Sequence, residues 1–190
     1  MDTRIGAKFL QPGPGYGGSC FPKDTLALIR TAQDHETPTL IVEAAVKVNE
    51  LRKRAMARKV VSAMNGDVRG RRIAVLGLTF KPGTDDMRDS PALTIIEALS
   101  DRGARIIAFD PQGMSEAAHL LPAVTMADDA YSATRGADAT VIITEWNEFR
   151  ELDLARVKQE MAGDVLVDLR NLYCPEEALA AGFRYVGIGR

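Results

Sequence analysis

Between Gly13 and Asp24 the sequence reads GPGYGGSCFPKD. A thiol (Cys20), an ammonium (Lys23) and a carboxylate (Asp24) sit directly behind a glycine-rich run. Pro22 marks a helix start, so Cys20 lies near a helix N-terminus and Asp24 about one turn further on. A helix N-terminus with a lysine beside it is the setting in which a thiol becomes a nucleophile. A thiol and a carboxylate one turn apart suit covalent catalysis, the first attacking and the second positioning or activating water. A structural cysteine buried in a turn would have the same composition, and the residue types alone leave both readings open. Glycine lets backbone approach a ligand closely, so Gly15, Gly17 and Gly18 are expected to turn free N–H groups toward a sugar or phosphate. Cys174, ahead of Pro175, has no basic partner at fixed spacing and reads as structural or incidental.

A second set of polar residues falls where apolar runs end. Thr79, Lys81, Thr84, Asp85, Asp86 and Arg88 follow RRIAVLGL, Asp110 ends RIIAFDP, and Glu145 and Trp146 end ATVIITEW. Asp168, Arg170 and Asn171 close DVLVDLRN. Each alone reads as a solvated loop charge. Converging on one sheet edge they form a site, where Lys81, Arg88 and Arg170 are expected to clamp a phosphorylated ligand. The turn GLTFKPGTDD is not G-x-G-x-x-G, so the glycine argument for a bound pyrophosphate fails there.

The elements that must position these residues are legible in the periodicity. TLALIRTAQ, from about Asp24 to Asp34, has the spacing of a short amphipathic helix. Thr39 to Met64 contains no Gly or Pro and repeats apolar residues at Ile41, Ala44, Ala45, Val48, Leu51, Ala55 and Met56. That pattern predicts a helix of about 40 Å, ended by Asn65-Gly66 and long enough to serve as a connector between lobes or a dimer surface. From Gly70 onward strands and helices alternate with short connections. SPALTIIEALSDRG is a capped helix with Ser90 as N-cap, and the alternation predicts a doubly wound, parallel, Rossmann-like α/β sheet. The expected division is a partial helical region over 1–66 and a sheet domain over 67–190.

The 190 residues carry a net charge of −2 with Lys and Arg scattered, which argues against a nucleic-acid partner. No apolar run reaches membrane-spanning length. Met1-Asp2-Thr3-Arg4 opens no signal peptide. Two widely spaced cysteines and two isolated histidines predict neither a disulfide framework nor a metal site, and the expectation is a soluble cytoplasmic protein.

RIGAKFLQPGPGYGGSCFPKD (Arg4 to Asp24), GLTFKPGTDDMRDSPA (Gly77 to Ala92) and DLRN (Asp168 to Asn171) resemble, in order and spacing, three signatures of the UDP-glucose/GDP-mannose dehydrogenase family, closest to its UDP-glucose 6-dehydrogenases. The resemblance covers essentially the whole chain. It implies oxidation of a sugar's primary alcohol to a carboxylate by two NAD⁺, through a cysteine thiohemiacetal and thioester. It implies Cys20 as nucleophile, with Asp24 assisting the water. It also implies sugar-nucleotide contacts from Arg4, Phe9, Leu10, Gln11, Gly13, Gly15, Tyr16 and Gly17, and from Lys81 and Arg170 in the sheet domain. Lys23 and Arg88 would face NAD, and the long helix would join two copies in a homodimer. Phe21 after the cysteine favours UDP-glucose over GDP-mannose by the same resemblance. The alternatives are a GDP-mannose dehydrogenase portion and a non-catalytic nucleotide-sugar binding or dimerisation module.

The sequence departs from the family at Thr79, where Ala is usual, and at Leu169, where Gly is usual. The family's N-terminal NAD-binding domain, with its glycine fingerprint and its lysine and asparagine that act on the reacting oxygen, has no counterpart in these 190 residues. The expectation is a C-terminal portion without dehydrogenase turnover of its own, in which NAD is bound mainly by that other domain.

Overall fold

The computed structural model describes Gly6 and residues 10–189. Helix α1 (Phe21–Asp34) starts earlier than its periodicity predicts, because Pro22 occupies the first turn and Cys20 is the N-cap. Proline is tolerated there because the N–H it lacks would have had no helical partner. Helix α2 (Leu40–Ala63) follows. It ends where Asn65 and Gly66 adopt positive φ of 60° and 89°, the backbone conformation that terminates a helix.

Strand and helix then alternate: β1 (Arg72–Leu76), α3 (Pro91–Ser100), β2 (Arg105–Phe109), α4 (Met114–Leu120), β3 (Thr125–Met126), α5 (Ala130–Thr134) and β4 (Ala139–Ile142). The remainder is α6 (Asn147–Arg150), α7 (Leu154–Glu160), β5 (Val165–Asp168), α8 (Pro175–Ala180) and β6 (Arg184–Val186). Helices α4 and α6, at 7 and 4 residues, are absent from the sequence reading.

The strands are all parallel, in the order β3-β2-β1-β4-β5-β6. This is the doubly wound sheet the alternation predicts. The winding reverses between β1 and β4, so a crevice opens beyond their carboxyl ends. Leu76 pairs with Phe109 and Ile142, and Ile142 with Asp168. The loops after β1, β2, β4 and β5 therefore leave the sheet at one level.

Both faces of the sheet are buried, which explains why its strands are near-continuous apolar runs. Ile73 and Val75 of β1 point to one face, with Val141 and Val167. Ala74 and Leu76 point to the other, with Phe109 and Phe149. The first face is covered by α3 and by the last turns of α2, whose Met56, Ala57, Val60 and Ala63 are core residues. Helix α2 is thus built into the sheet at one end and holds the cysteine loop from its middle.

The apolar stripe read from the sequence of α2 is not the side it buries in its first half. Ile41 is 86% exposed, Val48 62% and Leu51 54%, whereas Asn49 and Lys53 are buried. The inner side of this half receives polar backbone, so it needs polar side chains. The apolar stripe lies on the opposite side, facing out.

Candidate active site

Cys20 is a free, exposed thiol at the head of α1. The Asp24 amide donates to the Cys20 carbonyl at 2.8 Å, which fixes the two residues one helical turn apart, as the spacing predicts. Lys23 Nζ holds an Asp24 oxygen at 2.5 Å. The Lys23 ammonium is held above its usual range, first by this hydrogen bond and the Asp24 charge, with Cys20 adding to it. Ser19 Oγ lies 3.6 Å from Cys20 Sγ.

The loop ahead of Cys20 is clamped from two sides. On the α2 side, Asn49 Oδ1 accepts from the Tyr16 amide at 2.8 Å and Asn49 Nδ2 donates to the Tyr16 carbonyl at 3.0 Å. Arg52 Nε donates to the Gly13 carbonyl at 2.6 Å. On the sheet side, the Gly18 amide donates to the Arg88 carbonyl at 2.8 Å. The glycines serve these contacts. A Cβ at Gly17 would stand 2.3 Å from the Asp89 carbonyl oxygen, and one at Gly13 2.6 Å from an Arg170 terminal nitrogen. The expectation that the Gly18 N–H faces a ligand is therefore corrected: it is spent on Arg88. The glycines first let the loop approach its own protein.

The turn after β1 is equally closed. Asp110, at the end of β2, is fully buried. Its Oδ2 accepts from the Leu78 and Thr79 amides and from Trp146 Nε1, and the Thr79 hydroxyl lies 3.0 Å from it. Its Oδ1 accepts from the Gln112 and Gly113 amides. The Leu78 carbonyl accepts from Ser90 Oγ and the Thr79 carbonyl from Thr144 Oγ1, both at 2.6 Å. Thr79 Oγ1 also reaches the Lys81 carbonyl at 3.1 Å, a tie that Ala would lack. Asp110 was expected at the ligand edge and instead braces it from inside. Asp168 is the same: it is buried and accepts from the Arg170 and Tyr173 amides and from Tyr185 Oη. Asn171 ties the last segment through the Ile188 amide and carbonyl. Leu169 packs its side chain wholly into the core.

Of the three expected anion-binding cations, Arg170 is the most enclosed. Its side chain is 15% exposed, Nε donates to the Ile143 carbonyl at 2.8 Å, and Glu145 lies 2.9 Å away. Burial lowers its pKa against the pull of Glu145. Arg88 is forked onto Asp86, both contacts at 2.9 Å. This pairing holds the Asp86 carboxyl below its ordinary range. Lys81 is exposed, its Nζ 5.2 Å from the Phe80 ring centre. Gly18 packs on the same ring. Leu10 and Gln11 are exposed on the approach to the loop, while Arg4 and Phe9 lie outside the described residues.

A family model described as the UDP binding domain of the UDP-glucose/GDP-mannose dehydrogenase family matches residues 74–175, more than half of the chain. The chain belongs to that family. The model of the family's central domain matches residues 1–51. Over all of its length the chain is 61% identical to the UDP-glucose 6-dehydrogenase of Rhizobium meliloti (strain 1021) and spans 44% of that protein. It is 44% identical to UDP-glucose 6-dehydrogenase TuaD of Bacillus subtilis (strain 168), spanning 41% of it. A UDP-glucose dehydrogenase structure from the archaeon Pyrobaculum islandicum superposes on 98% of the chain with a TM-score of 0.81 at 36% identity, the match covering 41% of that structure. The chain thus spans less than half the length of the curated relatives it matches.

The family's NAD finds no seat on this sheet. The turn after β1 presents no glycine fingerprint, and its Leu78 and Thr79 amides are taken by Asp110. The acid at the end of β2, where a dinucleotide's ribose would be held, is that same buried Asp110. Among the described residues no cluster of His, Cys, Asp and Glu fit to hold a metal is present, and no helix is long and apolar enough to cross a membrane. Sequence reasoning missed Asn49 and Arg52. The one available signal was a polar amide in the middle of a long, Gly-free helix.

Proposed function

We propose that this chain carries the nucleophile and the nucleotide-sugar seat of a UDP-glucose 6-dehydrogenase. The observation that carries the reading is the docking of the cysteine loop onto the ligand edge of the sheet. Gly18 is bonded to Arg88 and Gly13 lies against Arg170, so the thiol and the crevice form one site. Arg170 and Lys81 hold the diphosphate, with Arg170 held in place by Glu145 and the Ile143 carbonyl. Leu10, Gln11 and the Gly13–Gly17 backbone border the sugar, with Arg4 and Phe9 assigned there by family likeness alone. Cys20 adds to the carbon of the sugar aldehyde, and Asp24, steadied by Lys23, positions the water that frees the acid from the thioester. NAD⁺, when bound, accepts the hydrides. Lys23 and Arg88 would face it, an assignment that rests on family likeness. Because the sheet offers no dinucleotide seat, the 190-residue chain alone gives no sustained NADH absorbance with UDP-glucose and NAD⁺.

The outward stripe of Ile41, Val48 and Leu51, with Leu26 and Leu28 of α1, joins two copies into a homodimer. Two exposed free thiols suit the reducing cytoplasm.

Titration calorimetry tests the reading. UDP-glucose binds, and GDP-mannose binds at least about tenfold more weakly, a gap of about 1.4 kcal/mol. The reverse order supports a GDP-mannose dehydrogenase, and binding of neither contradicts both.

A further inference from the structure

We propose that Asn49 is the positioning residue of the cysteine loop, the group through which α2 sets where Cys20 stands. Its amide is used in full register with one backbone unit: the oxygen takes the Tyr16 N–H at 2.8 Å and the nitrogen gives to the Tyr16 C=O at 3.0 Å. Asn49 is 6% exposed, so both bonds are shielded from water. A side-chain amide paired to a backbone amide fixes orientation as well as distance. No apolar residue replaces it without stranding a donor and an acceptor. Gly15 is shaped to this contact, since a Cβ there, at φ +132°, would stand 2.9 Å from Asn49 Oδ1.

The placement matters because α2 is anchored at its other end in the sheet's core, through Met56, Ala57, Val60 and Ala63. The loop therefore hangs between two anchors whose elements pack into one core: Asn49 at Tyr16 and the Arg88 carbonyl at Gly18. Three residues separate Tyr16 from Cys20. A shift at Asn49 passes to the thiol with little slack. Asn49 touches no reacting atom in this account and acts only through the loop. For its catalytic meaning the proposal rests on the reading of Cys20 as nucleophile.

Amide hydrogen exchange on the 190-residue chain tests it without any ligand. In Asn49→Ala, protection of the Tyr16 and Gly18 amides falls at least about tenfold, while Val75, Val141 and Val167 in the sheet keep theirs. Gly15→Ala gives the same pattern from the loop side and decides the matter if the first variant does not fold. Asn49→Asp adds a signature that a merely structural role lacks. When ionised, the introduced carboxyl accepts but does not donate, so the Tyr16 carbonyl is stranded. When protonated it does both, and protection corrected for intrinsic exchange returns as pH falls. The charged neighbours that set that midpoint are Glu50, Arg52 and Lys53 of α2, and Arg170, which faces Gly13. Unchanged loop protection in Asn49→Ala and Gly15→Ala, or protection in Asn49→Asp that does not vary with pH, overturns the proposal. Alkylation of Cys20 in the unaltered chain, with and without UDP-glucose, is scored separately. If the sugar nucleotide does not slow it, the functional reading fails while the exchange data still decide the role of Asn49.

Discussion

The two halves of this chain solve opposite problems. In the sheet, polar groups are turned inward and satisfied: Asp110 takes five N–H donors in a buried pocket and Asp168 closes the turn after β5. In α1 and the first half of α2, apolar groups are turned outward: Phe21, Leu26, Leu28, Leu40, Ile41, Val48 and Leu51 are all exposed. A region that buries its carboxylates and a region that exposes its leucines differ in what they need. The sheet is complete in itself. The helical part is organised by the sheet it docks on, and its outward apolar groups stay exposed. Cys20 sits at the seam, held by one anchor from each side.

The sharpest way to break the comparison is at Asp110. Asp110→Ala strands buried amides and the Trp146 indole N–H, and is expected to cost about 3 kcal/mol or more. Trp146 is the only tryptophan and bonds to Asp110 directly. Urea unfolding followed by its fluorescence reports the loss as a lowered midpoint at unchanged slope. A change under 1 kcal/mol, on the order of a surface substitution, would mean that the sheet does not depend on its internal brace.

Arg170→Ala comes next. It removes the enclosed cation beside Gly13 and leaves Glu145 without it, and UDP-glucose affinity is expected to fall at least about tenfold by calorimetry. Arg88→Ala is smaller. Asp86 is held below its unfolded value of 3.8 by Arg88, so its contribution is full above that value and is lost as pH falls through the lowered one. Arg88 is largely exposed, so solvent screens the pair and the variant loses little stability at neutral pH. Its stability begins to converge with that of the unaltered chain only below about pH 4, and meets it once pH is below the lowered Asp86 value. Smallest of all is Ile41→Lys, within about 0.5 kcal/mol in unfolding of the single chain. Its effect is on association: sedimentation is expected to show a monomer where the unaltered chain forms a dimer.

The sheet was legible because parallel strands buried on both faces are written as unbroken apolar runs, such as RIAVL and ATVI, set between helices with Ser90-Pro91 and similar start signals. The one-turn spacing of Cys20 and Asp24 was legible for the same reason, since it depends on local helix geometry. What stayed hidden was the direction in which polar groups point. Asp110 stands at a strand end, where a ligand acid would stand, and only the fold shows it turned inward. The stripe on α2 reads as part of a connector or a dimer surface, but periodicity reports that a helix has two sides without saying which side is covered. Asn49 grips a backbone unit 33 positions away, and no local pattern announces such a contact.

The measurement that tests the central claim most directly is the alkylation rate of Cys20, with Cys174 as the internal control, both being exposed free thiols of one chain. If the cysteine loop and the sheet edge form one nucleotide-sugar site, UDP-glucose slows the labelling of Cys20 and leaves that of Cys174 unchanged, and GDP-mannose does so more weakly. Equal rates with and without UDP-glucose would contradict the account and separate the thiol from the crevice against which it is docked.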